Sequence, residues 1–395
     1  MTPPISSREW LEADGLGGFA SGTATGIRTR RYHALLLTAT TPPTGRVALA
    51  HGFDAWVETP AGTFMLSTQC YAPGVPGGDS AQRIESFQTD PWPTWTFQLE
   101  DGTRLRLEIM TVRDQPVTTL VWTLLGPAAD VRLHLRPFLS GRDYHSLHRR
   151  NPAFRFEADI ELDRVSWRPY ADLPGITALT HGQYIQSPHW YENFLYEEEQ
   201  ARGLDCIEDL AAPGVFSWNL AHGRASLLLT TRAHADAAWP SPVDPDVVVD
   251  QCQDAERRRR KAFPTRLHAA ADAYLVRRGA GRTLIAGYPW FTDWGRDTLI
   301  ALRGICLATG RLEEARDILL AWAATVSEGM LPNRFPDQGG QPEFNAVDAS
   351  LWMDQVILGR QAKTWRASEP APHSSARRST ASRSASSPCL QPAHA

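Results

Sequence analysis

The hydrophobic period of this 395-residue chain changes near residue 250, and a single type of element cannot satisfy both halves. Before that point, short runs rich in Val, Leu, Thr, Trp and Phe recur between turn residues. In Thr103-Arg-Leu105-Arg-Leu107-Glu-Ile109 the apolar residues alternate with period two, so one face turns inward. The same pattern predicts strands over residues 32–37, 47–57, 95–99, 105–112, 117–125 and 131–138, then over 153–162, 165–168, 214–220 and 225–231. Glu100-Asp101-Gly102 between two of these runs is a hairpin signal. Many short strands at short spacing imply a large antiparallel sandwich over residues 1–250.

Beyond residue 250 apolar residues recur at helical spacing. Residues 251–280 read as a helical linker, with Asp254 to Lys261 a charged, solvated helix and Leu267, Ala270, Ala271, Tyr274 and Leu275 on one side of a second helix. Residues 296–309 place Leu299, Leu302, Ile305 and Cys306 on one stripe and stop at Gly310. Residues 311–327 place Leu312, Ala315, Ile318, Leu319, Trp322 and Val326 on another. A further helix opens at Asn345-Ala-Val-Asp348 as a capping-box-like pair and runs through Leu351, Trp352 and Ile357. From Thr364 the Ser/Ala/Arg/Pro-rich sequence holds almost no aliphatic residue, so residues 364–395 are expected to be disordered, as an out-of-frame reading of GC-rich coding sequence would be.

Composition excludes several classes. A formal net charge of −4 argues against nucleic acid as the partner. No apolar run approaches the ~18 residues of a membrane span, and no charged, then apolar, leader opens the chain. The five scattered cysteines form no C-x-x-C pair, which predicts neither a disulfide framework nor a metal site. No cofactor is expected, and a cytoplasmic location is.

Candidate chemistry concentrates in Gly281-Arg-Thr-Leu-Ile-Ala-Gly287-Tyr-Pro-Trp290-Phe-Thr-Asp293-Trp294-Gly-Arg296-Asp297. Gly and Pro interrupt any regular element there, which suits a loop presenting indoles and an Arg–Asp pair to a hydroxyl-rich ligand. The glycine-dense Asp14 to Gly22 stretch follows no hydrophobic strand and precedes no Lys, so tight turns between strands explain it better than a phosphate loop. Thr29-Arg-Arg-Tyr32-His33 and Arg142-Asp-Tyr144-His145 read as buried or capping polar pairs rather than as catalytic histidines, because no nucleophile motif accompanies them.

The residues carry a resemblance. Trp10-Leu-Glu-Ala-Asp-Gly-Leu-Gly-Gly-Phe-Ala-Ser-Gly-Thr and Thr29-Arg-Arg-Tyr-His33 resemble the N-terminal domain of bacterial and archaeal glycogen debranching enzymes. Ile285 to Asp297, Gly329-Met-Leu-Pro-Asn-Arg-Phe335 and Asn345-Ala-Val-Asp-Ala-Ser-Leu-Trp352 resemble the start of that family's amylo-α-1,6-glucosidase domain. The resemblance implies a supersandwich-like β-domain followed by an (α/α)6 barrel, incomplete here because residues 281–363 hold too few helices for a barrel of twelve. It implies hydrolysis of α-1,6-linked glucose in glycogen or a limit dextrin by inversion, with an acid and a base ~6.5–9.5 Å apart. The residue chemistry fits a sugar: Trp290 and Trp294 offer faces on which a ring stacks, and Asn333, Arg334 and Asp348 offer further contacts at the barrel mouth; by the resemblance, Arg296 and Asp297 grip the terminal glucose. The acid and base belong to motifs absent from this chain, which is therefore expected to be truncated and inactive. A non-catalytic glucan-binding remnant and a disaccharide phosphorylase-like enzyme stay open as alternatives.

Overall fold

The computed structural model describes residues 8–126, 130–334 and 341–368. Two antiparallel sheets dominate its first two thirds. One has ten strands, centred on Thr44–Thr59, Arg132–Asp143 and Ile207–Asn219; the other has eight, centred on Val117–Leu125 and Ala225–Thr231. Both inner faces share one core: Leu49, Val57, Leu135 and Phe216 of the first sheet pack with Trp95, Leu107, Trp122 and Leu229 of the second. In Arg104–Thr111, Leu105, Leu107 and Ile109 are buried while Arg104, Arg106 and Glu108 are not, so the alternation decides the faces.

The strand forecasts at Val117–Leu125 and Ala225–Thr231 match residue for residue. That for 153–162 shrinks to Ala158–Ile160. The thirteen-residue strand Gln183–Leu195 was not predicted. Its pairing with Ile207–Asn219 shifts register twice, and most of its residues are exposed or half-buried, so bulges erase the period that a sequence reader would seek.

Seven α-helices lie among the described residues: α1 Glu197–Ala201, α2 Arg232–Ala238, α3 Pro245–Lys261, α4 Arg266–Tyr274, α5 Gly295–Leu302, α6 Leu312–Ala323 and α7 Ala349–Ser368. Helix α3 is not the solvated rod its charges suggest. Val248, Val249 and Cys252 bury against the second sheet with Val121 and Leu228. Glu256, 3% exposed, holds Arg259 and Arg260, and Arg260 also pairs with Glu12. In α4, Leu267 is exposed, and Leu275 has left the helix for a strand. That strand, Leu275–Arg278, forms a hairpin with Gly281–Leu284, too short for its period to show in the sequence.

The hairpin and helices α5 to α7 share a second core of Leu284, Leu299, Leu302, Ile318, Trp322 and Met353. A π-turn, Arg303–Leu307, extends α5 before the cap at Gly310, whose φ of +80° suits glycine. The stripes of α5 and α6 are as predicted except at Val326, which is exposed beyond the end of α6. On α7 the predicted stripe is rotated: Met353 and Val356 are buried, while Leu351 and Ile357 face out. Helix α7 also runs to Ser368, past the point where disorder is expected; residues 335–340 and 369–395 lie outside the described residues.

The glycine-dense loop joins the two regions. It connects strands Glu9–Ala13 and Phe19–Thr23, and Gly15 accepts a hydrogen bond from the Arg277 amide. Gly15 has φ +79°, and a Cβ there would lie 2.7 Å from the Arg113 guanidinium. Arg113 in turn donates to the Leu275 carbonyl. The loop is a docking point for the hairpin.

Candidate functional site

The aromatic loop leaves the hairpin and crosses the back of the first sheet. Tyr288 packs edge-on to Phe19, with ring centroids 5.6 Å apart. Arg46 lies beneath it, fully buried, against the rings of Phe19, Tyr144 and Tyr288, and donates to the Pro289 carbonyl at 3.3 Å. The Tyr144 hydroxyl donates to the Trp290 carbonyl at 3.2 Å. These contacts fix the loop to the sandwich from behind. Gly295 fixes it from the helical side: its amide donates to the Asn333 carbonyl, and a Cβ there would sit 2.4 Å from the Pro332 oxygen. Asp293, 1% exposed, is paired with Arg278 at 2.5 Å.

Between these anchors opens a cleft of about 360 Å³. Trp290, Phe291, Thr292, Trp294 and Arg334 form one wall, and Tyr32, Tyr144, His145 and Arg202 form the other. Three of the predicted site residues, Trp290, Trp294 and Arg334, therefore come together. Each indole has one face covered by a guanidinium: Arg30 lies 5.8 Å from the Trp290 ring and Arg334 5.5 Å from that of Trp294.

The other four do not line this cleft. Arg296 was expected to act with its neighbour Asp297. Its guanidinium instead pairs with Asp348 at 3.1 Å, across the gap between α5 and α7, and Asp297 is exposed in the first turn of α5. Asp348 also accepts from the Trp352 indole at 3.1 Å, so its carboxylate joins two elements rather than forming the predicted capping box. Asn333 accepts from the Arg296 amide at 3.2 Å and donates to Asn345 at 2.9 Å, a brace for the helical wall.

In the sequence Tyr32, Tyr144 and His145 read as parts of buried or capping polar pairs. That reading holds for their neighbours. His33 is buried, its Nδ1 accepts from the Thr29 amide at 3.1 Å, and burial followed by the charges of Arg30 and Arg28 pushes its pKa down to about 3. Arg142 is buried on Glu208 and donates to the Arg31 and Tyr144 carbonyls at 2.6 and 3.3 Å. Burial alone would raise Glu208, but Arg142, His51 and Tyr196 outweigh it and hold its carboxyl at about 2. This pair ties the two Tyr-His segments together, and the segments then turn aromatic side chains to the cleft. Their repeated Tyr-His was the signal for them; Arg202, from the end of α1, had none.

A larger groove of about 940 Å³ runs between α4 and the sandwich edge near Glu12 and Pro91. Its charges are largely spent on one another, as in Arg113–Asp272, Arg259–Asp272 and Arg260–Glu12. The smaller cleft holds the aromatic faces and is the better candidate. No helix among the described residues is long and apolar enough to cross a membrane.

The family model for the glycogen debranching enzyme N-terminal region matches residues 8–226, more than half of the chain. The chain belongs to the glycogen debranching enzyme family. A second family model, amylo-alpha-1,6-glucosidase, matches residues 269–364, which include Trp290, Trp294 and Arg334. The glycogen debranching enzyme of Saccharomyces cerevisiae (strain ATCC 204508 / S288c) is 41% identical over 80 residues, 19% of this chain and 5% of the yeast enzyme. Among solved structures, a bacterial glucoamylase complexed with acarbose aligns over 93% of this chain and 58% of its own, with 12% identity and a TM-score of 0.45. The chain thus matches only a small part of the yeast enzyme and less than two thirds of the glucoamylase.

Proposed function

We propose that the cleft between the sandwich and the aromatic loop binds a glucan, and that the full catalytic unit hydrolyses α-1,6-linked glucose in glycogen or limit dextrin. The observation that carries this is the convergence of Trp290, Trp294 and Arg334 with Tyr32, Tyr144 and His145 around one cleft. Indole and phenol rings offer apolar faces to the C–H side of a pyranose, and guanidinium and imidazole groups offer donors to its hydroxyls. The matched family model supports the choice of linkage. In this reading α5 to α7 are the first helices of an (α/α)6 barrel. Arg296, Asp297, Asn333 and Asp348 form the rim of its mouth rather than its gripping pair.

Inversion needs an acid and a base on opposite sides of the scissile bond, with room between them for water. The described lining of the cleft is aromatic and cationic; Asp348 is committed to Arg296 and Asp293 to Arg278, and Asp297 stands outside the lining in the first turn of α5. This chain by itself is therefore proposed to bind glucan without cleaving it.

The test is retention on a glycogen affinity gel alongside glucose release from a phosphorylase limit dextrin, each with and without phosphate. The expected result is retention, weakened by Trp294→Ala, with no glucose released. Absence of retention overturns the binding role. Glucose release overturns the proposed inactivity, and glucose 1-phosphate as a product replaces hydrolysis with phosphorolysis.

A further inference from the structure

The cleft has a guanidinium on each wall, Arg202 and Arg334, and no carboxylate in its lining. Arg202 follows α1, which is tied to the sandwich where the Glu198 amide donates to the Thr29 carbonyl at 3.0 Å. Its own amide donates to the Glu199 carbonyl at 3.2 Å, and 46% of its side chain stays exposed. Among the described residues, the carboxylate within ion-pair distance of its guanidinium is that of Glu199, fully buried and 3.6 Å away. The same oxygen lies 3.5 Å from Arg31, so one acid serves two guanidiniums. Arg334 is held by its backbone, bridged to Trp294 on one side and to Glu343 on the other. The Glu343 amide donates to its carbonyl at 2.9 Å. Its guanidinium lies over the Trp294 ring and forms no ion pair among the described residues, Glu343 included.

The charges behind the walls are matched. Arg30, over Trp290, meets Glu9 at 2.8 Å and Glu198 at 3.3 Å, and Arg142 is committed to Glu208. What faces the cleft is therefore positive charge between aromatic walls, an arrangement that focuses the field on whatever enters. A neutral sugar leaves both charges standing, since its hydroxyls accept from a guanidinium without neutralising it. A phosphate monoester brings about −1.5 to −2 charge at pH 7, and its oxygens match the guanidinium fork. Two guanidiniums on facing walls balance one such group.

We infer that the cleft takes a phosphorylated saccharide: the sugar lies against Trp290 and Trp294, and Arg202 and Arg334 hold its phosphoryl oxygens from opposite walls. The inference rests on the glucan-binding reading and narrows its substrate class, from any glucan to one bearing a phosphate monoester. It also gives the sandwich, through Arg202, a part in recognition. A volume of about 360 Å³ falls near the lower end of the ~300–1,000 Å³ usual for small-molecule pockets, which suits a short saccharide carrying one such group.

The experiment titrates the full chain by calorimetry with glucose 6-phosphate, glucose and inorganic phosphate, beside retention on the glycogen gel. Glucose 6-phosphate should bind roughly 12- to 140-fold tighter than glucose, the worth of one hydrogen bond to a charged group. It should also outbind inorganic phosphate, which has no ring to lay on the indoles. The preference over glucose should shrink between about 0.05 and about 0.5 M salt, as screening of exposed charges requires. Arg202→Gln and Arg334→Gln should each cut it roughly 10-fold. Arg202→Lys, which keeps the charge without the fork, should restore part of the loss. A variant that merely misfolds loses glucose and glucose 6-phosphate together, and Arg202→Lys then decides. If glucose 6-phosphate binds no tighter than glucose while the gel retains the chain, this inference fails and the glucan site stands. If inorganic phosphate binds as tightly as glucose 6-phosphate, the saccharide is not part of the recognition and the inference is overturned. If the gel does not retain the chain, the glucan reading fails and takes this inference with it.

Discussion

Arg142 and Glu208 lie wholly inside the sandwich behind the cleft, whereas Arg296 and Asp348 meet on the helical side with 52% and 39% of their side-chain surface in water. Both are arginine–carboxylate pairs, yet they do different work. The first is desolvated and fully networked: Glu208 also accepts from the His148 amide at 2.8 Å and from the Tyr196 hydroxyl. Breaking it leaves a buried charge with no counterpart. The second joins α5 to α7 across solvent, where screening removes most of its worth. The sandwich side of the cleft thus rests on a desolvated pair, whereas this brace between α5 and α7, outside the cleft lining, exchanges easily with water.

The largest effect should come from Glu208→Gln. Removing one partner of a buried ion pair costs about 3–5 kcal/mol, read by urea denaturation. The pH dependence has a definite sign. Because the folded carboxyl is held at about 2, below its ordinary range, its stabilisation is complete above about pH 4.5 and is lost as pH falls toward 2. The variant should lack that acid limb, and an unchanged midpoint at pH 7 would break the comparison between the walls.

The seam between the two regions gives an intermediate effect of opposite sign. Asp14, 3% exposed, has its carboxyl raised to about 7, chiefly by burial. Folding therefore favours its protonated form. That stabilisation is complete below about pH 4 and is lost as pH rises through 7. Asp14→Asn, which still accepts from the Leu16 amide, should remove this slope and gain on the order of 2 kcal/mol over wild type at pH 8. Parallel pH–stability curves for the two proteins would rule out a buried, titrating Asp14.

The smallest effect belongs to Arg296→Gln. The exposed pair with Asp348 should contribute at most about 1 kcal/mol, falling further in 0.5 M salt. A loss as large as that from Glu208→Gln would show that the helical wall is as rigid as the sandwich wall.

The same contrast explains what could be read in advance. Strands with one face in the core, such as Arg104–Thr111 and Val117–Leu125, declare themselves by alternation, and the stripe of α5 does so by its 3.6 period. Gln183–Leu195 does not, because its bulges and exposed face leave no period to detect. On α7, Leu351 and Trp352 could each have begun the buried stripe, and only packing against α5 and the π-turn selects Met353 and Val356. In the site, Trp290, Trp294 and Arg334 stood out because they share a loop-rich, aromatic sequence. The repeated Tyr-His marked Tyr32, Tyr144 and His145 without showing that they face a cleft, and Arg202 carried no signal, because a place in the cleft depends on neighbours distant in the chain.

The sequence by itself determined the order of the two regions, the location of the aromatic loop and the family to which the chain belongs. Each of these is written in residues adjacent to one another or repeated at a fixed period. Only the tertiary structure decided that Arg296 turns from Asp297 to Asp348, and that the two Tyr-His segments meet the aromatic loop across a cleft. Partner choice among charges and rings depends on which surfaces the fold desolvates together, and chain spacing carries no record of that.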